Sequence, residues 1–431
     1  FSECRLLFCE GSGQCFLGFI KFCGRLRRRS SVIICAAAPK RTLLMRSIGR
    51  NGSGSRILRP LPARFGCMPC RAAQPLIAAL RRRFPDAPLL ITQMTPTGRA
   101  TAQALYPDAQ CRYLPYDRRD WVAQFLREHR PLFGVVMETE LWANLLNEAH
   151  RQKIPMFVAN ARLSEKSARG YRRIDTLIRP ALQTLAGCLA QTEEDAARLR
   201  QLGAANVSVC GNSKYDIAPP EDKIELAAQW RRHLGRRRVF VAASTREKDG
   251  TDEAHEIVRA WRQHGCADDL LVLVPRHPER FGAAAEYAQS LGLTVQKRSS
   301  GEAVAPNTQV WVGDSMGEMF AYYALADAVF VGGSLVDTGC QNIIEPMSCG
   351  KPVLFGPSVY NFQAACTGAL VFGAARQIAS ADELVQTVYR WWQNPEEAAA
   401  LAQRAVQFVA QHKGASERMA QRIEDGVKRK G

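Results

Sequence analysis

A chain of 431 residues, 46% hydrophobic and 23% charged, is long enough for two or three full-cored domains and has the ordinary composition of a soluble globular protein. No apolar run reaches the roughly 18 residues of a membrane span, which excludes an outright transmembrane segment. The net charge of +17 points to an anionic partner: nucleic acid, a phosphorylated ligand or an acidic lipid surface.

In chain order, residues 1–70 stand apart. They hold 13 Lys and Arg against Glu3 and Glu10, so the rest of the chain supplies only +6 of the charge. Half of the 14 cysteines also fall there: Cys4, Cys9, Cys15, Cys23, Cys35, Cys67 and Cys70. Nothing in this segment has a periodicity that would bury a face, so it is expected to be disordered or not to belong to the fold. Cys67-Met68-Pro69-Cys70 has the spacing of half a zinc site, but no second ligand pair is visible. No metal and no cofactor are expected.

From residue 71 apolar runs alternate with amphipathic helical stretches. Strands are predicted at Pro88–Met94, Phe133–Met137, Pro155–Asn160, Gly187–Gln191, Val207–Cys210, Val239–Ala243, Leu270–Val274, Val310–Val312, Ala328–Val331 and Pro352–Phe355. Such alternation means parallel sheets covered by helices, and about ten strands exceed one comfortable sheet. Asp216–Lys223 reads as a linker. The expected fold class is therefore α/β, with two Rossmann-like, doubly wound domains at 71–215 and 216–431 facing a cleft. The stretch Asp382–Lys428 is helical and able to pack back across the domains. Seven dispersed cysteines after residue 70, none in metal spacing, suit a reducing cytoplasm.

The turns after these strands carry the polar groups, and open α/β sheets bind ligands beyond the carboxyl ends of their strands. Thr92-Gln93-Met94-Thr95-Pro96-Thr97-Gly98 is rich in hydroxyls, where a helix N-cap would need only one Thr. Val135-Val136-Met137-Glu138-Thr139-Glu140-Leu141-Trp142 sets two carboxylates at the end of a buried run. Capping of the next helix accounts for one of them; two together with Trp142 read as a site. Cys210-Gly211-Asn212-Ser213-Lys214-Tyr215-Asp216 puts a lysine just past a strand, where it can stabilise developing negative charge.

Leu273-Val274-Pro275-Arg276-His277-Pro278-Glu279-Arg280 ends a strand with two arginines and a histidine, suited to phosphate or carboxylate, although a solvated charged loop has the same spacing. Gly313-Asp314-Ser315-Met316-Gly317-Glu318 opens a helix whose amides favour an anion. Gly332-Gly333-Ser334-Leu335 follows another strand. Gly339-Cys340-Gln341-Asn342-Ile343-Ile344-Glu345 starts a helix with an acid of the kind that accepts ribose hydroxyls. Three glycine-bearing loops after successive strands point to a nucleotide site.

From about Ala72 onward the chain resembles the bacterial 3-deoxy-D-manno-octulosonic acid (Kdo) transferases of lipopolysaccharide synthesis. The resemblance rests on seven runs in order: Met94–Gly98, Tyr113-Leu114-Pro115-Tyr116-Asp117, Met137–Trp142, Ala159-Asn160-Ala161-Arg162-Leu163-Ser164, Val274–Phe281, Gly313–Glu318 and Phe330–Leu335. It implies a GT-B glycosyltransferase whose N-terminal domain holds the lipid A precursor lipid IVA and whose C-terminal domain holds CMP-Kdo. It also implies inverting transfer without a metal, at the cytoplasmic face of the bacterial inner membrane, with no nucleic-acid partner. Carried over by position, Glu138 and Lys214 stabilise the transition state. Pro275, Arg276, Met316, Gly317, Glu318, Asn342, Ile343, Ile344 and Glu345 contact the donor. Ala143 and Ile343-Ile344 depart from the family's usual Pro and Pro-Leu.

A larger departure lies upstream. The family has a hydrophobic anchor and then a strand Ala/Ser-Val-Ser-Val-Gly-Glu, whose Glu is the general base, just before the position of Ala72. Here the segment is Arg64-Phe65-Gly66-Cys67-Met68-Pro69-Cys70-Arg71, and no acid lies between Glu10 and Asp86. Permitted codons for Arg64–Arg71, read from their third base, spell Val-Trp-Met-His-Ala-Val-Ser, the family strand. The same offset turns Arg50–Gly54 into Glu-Arg-Phe-Gly, another family run. Residues 1–70 are therefore expected to be an out-of-frame reading, the alternative being a genuine basic extension. Without the base, a catalytically inactive membrane-associated remnant is the rival reading. A GT-B-fold sugar-nucleotide epimerase would share the nucleotide loops but not Met137–Trp142.

Overall fold

Every one of the ten apolar runs forms a strand. The computed structural model describes residues 31–36 and 68–429. These divide into a unit that ends at Ser213 and takes in Gly414–Gly431, and a second unit of Lys214–Lys413.

The first unit holds a seven-stranded sheet: β1 (Ser31–Ala36), β2 (Leu89–Gln93), β3 (Gln110–Tyr113), β4 (Pro131–Met137), β5 (Met156–Ala161), β6 (Gly187–Ala190) and β7 (Val207–Val209), in the order β3-β2-β1-β4-β5-β6-β7. Side chains alternate between two cores. Val136, Val158 and Cys188 face one; Val135, Met137, Phe157 and Leu189 face the other. Helices cover both faces, so the central strands are apolar along nearly their whole length.

Two expectations fail in this unit. The segment 1–70 was expected not to fold, yet Ser31–Ala36 occupies the central slot of the sheet. It runs antiparallel to both neighbours, with Ser31 opposite Gln93 and Val32 opposite Val136. All other pairs in the sheet are parallel. Arg64–Cys67 and the remaining cysteines before Cys35 lie outside the described residues.

The second failure concerns the C-terminal end. Helix Ala415–Lys428 lies in the range given to the second domain, 216–431, but completes the first unit, as a stretch able to pack back would. Its apolar stripe of Ala415, Met419, Ala420 and Ile423 enters the same core as Leu76, Phe133 and Phe157. Arg83 on helix Met68–Arg83 pairs with Glu417 at 3.2 Å, and the Arg418 guanidinium donates to the Cys210 carbonyl at 3.0 Å.

The second unit repeats the plan with a parallel sheet of β8 (Val239–Thr245), β11 (Leu270–Pro275), β12 (Val295–Lys297), β13 (Val310–Val312), β14 (Ala328–Val331), β15 (Val353–Phe355) and β16 (Arg376–Gln377), ordered β12-β13-β11-β8-β14-β15-β16. The short pair β9 (Glu247–Lys248) and β10 (Thr251–Asp252) hangs from the end of β8. Strand order reverses between β8 and β14, and ligands of doubly wound sheets bind at such a switch point. The unit boundary at Ser213 and Lys214 lies just before the predicted linker Asp216–Lys223, whose last three residues already belong to helix Glu221–Leu234. Among the described residues no helix is long and apolar enough to cross a membrane.

Candidate functional site

In the first unit the polar groups gather at the carboxyl ends of β4 and β5. Glu138 follows β4 at φ 60°, and its amide donates to the Ala159 carbonyl at 2.8 Å. A side-chain-bearing residue in this region costs on the order of 1–3 kcal/mol and persists where the surroundings enforce it, most often at functional sites. Asn160 at the end of β5 is also left-handed, at φ 53°. Its side-chain oxygen accepts the Ser213 amide at 3.0 Å, which ties the family-like run 159–164 to the last residue of the unit.

Capping explains neither glutamate. Helix Ala143–Arg151 has no cap from Trp142. Its free amides are taken by Asp117, whose two oxygens accept from Asn144 at 3.0 Å and Leu145 at 2.8 Å. Burial pushes the Asp117 carboxyl above its usual range, and these two amides pull it back. Glu140 is nearly buried and accepts the Trp142 indole N–H at 3.2 Å. Thr139 bonds with the Arg162 main chain, its hydroxyl accepting the Arg162 amide at 2.9 Å. Of the two carboxylates, Glu140 is held by its own tryptophan, while Glu138 is half-buried on a strained corner. In the hydroxyl-rich turn, Thr95 is the N-cap of helix Pro96–Leu105, accepting the Gly98 amide at 3.0 Å.

In the second unit Pro275 and Arg276 end β11, and the Arg276 amide donates to the Thr245 carbonyl at 2.9 Å. Arg276 and Glu345 act oppositely on the buried Tyr323 hydroxyl. Burial raises its pKa most, Glu345 raises it further and Arg276 lowers it, so both charges are felt at this hydroxyl. Asn342 accepts the Ile344 amide at 3.0 Å and opens the five-residue helix Ile344–Ser348. Ile343 and Ile344 are core side chains, at 0% and 1% exposure, so only their main chain can reach a ligand.

Gly317 takes φ 83°, a turn that favours glycine, and Met316 beside it is exposed. Glu318 sits at the start of helix Met319–Leu325, between Arg298 at 3.0 Å and the Ser315 hydroxyl. Lys214 lies in the turn Ser213–Asp216 with its ammonium 4.9 Å from the centre of the Phe362 ring, a cation–π contact.

Two loop expectations need correction. Gly332-Gly333-Ser334-Leu335 was read as one of three nucleotide loops, but the amides of Gly333, Ser334, Leu335 and Val336 all donate to buried Glu253, at 2.6, 2.9, 2.7 and 3.3 Å. Burial raises the Glu253 carboxyl pKa and these amides oppose the shift. Gly332 itself is required by close approach, since a Cβ there would lie 2.7 Å from the Ser244 carbonyl. Arg280, one of the two arginines after β11, is held by Glu247 at 2.6 Å and by Asp252. Glu253 and Arg298 went unnoticed in the sequence, and Asp117 was noted only as the end of a family-like run and not as a helix cap. Each is a lone charged residue whose partners lie 15 or more positions away or on another element, and no local spacing marks it.

Comparison with known proteins fits this geometry. Residues 70–217 match the family described as 3-deoxy-D-manno-octulosonic-acid transferase (kdotransferase). The chain is 39% identical over 365 residues to the 3-deoxy-D-manno-octulosonic acid transferase of Bordetella pertussis, covering 82% of this chain and 84% of that one. It is 33% identical over 358 residues to the enzyme of the same name from Haemophilus influenzae, covering 81% and 82%. In structure it is similar to UDP-GlcNAc 2-epimerase from Neisseria meningitidis, with a TM-score of 0.58 at 15% identity over 82% of this chain and 96% of that one. The last likeness speaks for the fold alone.

Proposed function

The chain belongs to the 3-deoxy-D-manno-octulosonic acid transferases, and on that premise we propose that its second unit holds CMP-Kdo and its first unit takes lipid IVA as acceptor. Transfer is inverting and needs no metal. An acceptor hydroxyl attacks the anomeric carbon of Kdo as CMP departs, with Glu138 and Lys214 stabilising the transition state. Arg276 neutralises the departing phosphate, and Asn342 and Glu345 receive the nucleoside. Main support comes from Glu138, which is strained at the carboxyl end of β4 and relieved of capping by Asp117. Arg276, directly after the carboxyl end of β11, and Glu345, in the first turn of helix Ile344–Ser348, support the donor side.

The acceptor is an acylated, phosphorylated sugar, so the reaction belongs at the cytoplasmic face of the inner membrane. Tyr113, Tyr116 and Trp121 are exposed on the first unit, with Arg99 5.0 Å from the Tyr113 ring and Arg118 5.3 Å from the Trp121 ring. Aromatic rings interleaved with arginine suit a headgroup layer.

The direction of β1 supports the absence of the general base. A parallel strand in the central slot would deliver its last residue to the edge where Glu138 stands. The antiparallel β1 brings Ser31, its first residue, to that edge. An out-of-frame segment 1–70 accounts for both the missing glutamate and the reversed strand. Sequencing the gene across this segment is expected to show a one-base offset, and a single intact frame encoding these residues would contradict it.

The role of Glu138 is tested in a chain given back its base glutamate. Glu138→Ala is expected to lower transfer to lipid IVA by on the order of 10²-fold or more, as loss of a charge-stabilising group does. CMP affinity, measured by calorimetry, should stay unchanged. Transfer at the parent rate would remove Glu138 from the mechanism.

A further inference from the structure

One cavity of the second unit meets the assignments above only at Pro275. It measures about 370 Å³ and is lined by Thr245, Arg246, Pro275, His277, Glu279 and Arg280, together with Glu247 and Asp252, the two carboxylates paired with Arg280. It lies at the carboxyl ends of the paired strands β8 and β11. Ligand pockets span roughly 300–1,000 Å³, so this one has room for a single sugar and not for an acylated disaccharide.

Two observations mark its wall as a built site. Thr245 is 2% exposed, and its hydroxyl is buried with no hydrogen-bond partner among the described residues. Buried hydroxyls are normally satisfied, so an unpaired one beside a cavity indicates a missing ligand atom. Ser244, just before it, is held at φ 58°. Main-chain bonds fix this strained corner: the Arg276 amide holds the Thr245 carbonyl, and Glu253 holds the Arg246 amide at 2.8 Å.

The charges of the lining divide by role. Arg280 is neutralised by Glu247 and Asp252 and braces the wall. Arg246 brings a second guanidinium, a planar fork that matches a carboxylate. His277 and Glu279 offer acceptors for hydroxyls. A cationic corner and an acceptor side in one sugar-sized cavity are complementary to a polyhydroxylated sugar acid. Pro275 lines the cavity and Arg276 follows it directly, so a phosphate held by Arg276 would adjoin the sugar.

We infer that this cavity seats the acidic sugar of the donor, with Arg246 and Thr245 holding its carboxylate and His277 and Glu279 its hydroxyls. The assignment rests on the donor reading of the second unit. Calorimetric titration of the full chain with CMP and with CMP-Kdo tests it without needing turnover. The wild-type chain should bind CMP-Kdo more tightly than CMP. Arg246→Met should weaken CMP-Kdo by about 10–100-fold, the loss expected for charge-assisted hydrogen bonds, and leave CMP unchanged. Thr245→Val should act in the same direction with a smaller loss. Unchanged CMP binding also reports that the variants are folded. If the wild type binds both ligands equally, or Arg246→Met weakens both alike, the sugar assignment falls and the donor reading stands. If the wild type binds neither, both fall.

Discussion

Rebuilding the central strand of the first sheet as a parallel strand ending on glutamate just before Ala72 is expected to raise transfer from CMP-Kdo to lipid IVA by about 10²–10⁴-fold, the usual worth of general-base help. The gain follows from topology as much as from chemistry. In the sheet order β3-β2-β1-β4, the central strand borders β4, which carries Glu138 beyond its end. Only a parallel strand in that slot ends beside it. The antiparallel β1 places Val32 opposite Val136 and leaves Ala36, its final residue, opposite Pro131 at the far edge. Measured with purified acceptor and donor, a rebuilt chain no faster than the parent would show that transfer by this protein does not depend on a glutamate at that position.

The second large effect is on stability. Glu253→Ala is expected to destabilise the second unit by about 3–5 kcal/mol, the scale of stripping one partner from a buried charged network. Five amides converge on this carboxylate: Arg246 at 2.8 Å and Gly333 through Val336. Removing it leaves buried donors unpaired at the ends of β8 and β14, the two strands flanking the switch point. Glu253→Gln keeps an acceptor oxygen and should lose less. Urea unfolding followed by fluorescence measures both. A Glu253→Ala variant within about 1 kcal/mol of the parent would mean that water replaces the carboxylate and the loop is not built on it.

The parts of the fold visible in the sequence are those whose burial is visible in composition. β4, β5, β8 and β11 are covered on both faces, so Phe133–Met137 or Leu270–Val274 stand out as apolar runs. β3, β12 and β16 are short, partly exposed strands, and Gln110–Tyr113 or Arg376–Gln377 carry no apolar signal. The strand Ser31–Ala36 was hidden by its surroundings, a basic and cysteine-rich segment without periodicity. Helix Ala415–Lys428 was legible as a helix, but its destination was not. An apolar stripe states that a face is buried, not against which sheet.

The site follows the same division. Glu138 and the turns around Arg276 and Glu345 were visible because strand ends attract polar residues in a known pattern. Glu140 looked equivalent to Glu138 by its place at the strand end, and the structure separates them: Glu140 is buried with the Trp142 indole bonded to it, and Glu138 is half-buried at φ 60°. Gly332-Gly333-Ser334 looked like a phosphate loop because glycine spacing records backbone shape. What its amides bind is decided by Glu253, some 80 residues earlier. Thr245 and Arg246 carry no motif at all, and only the cavity beside them brings them forward.

A crystal structure of this chain grown with CMP-Kdo tests the account most directly, since binding does not require a general base. The nucleotide should lie across the carboxyl ends of β11, β13 and β14, in contact with Arg276 and Glu345. Ligand bound at the opposite edge of that sheet, or on the first unit, would contradict the account.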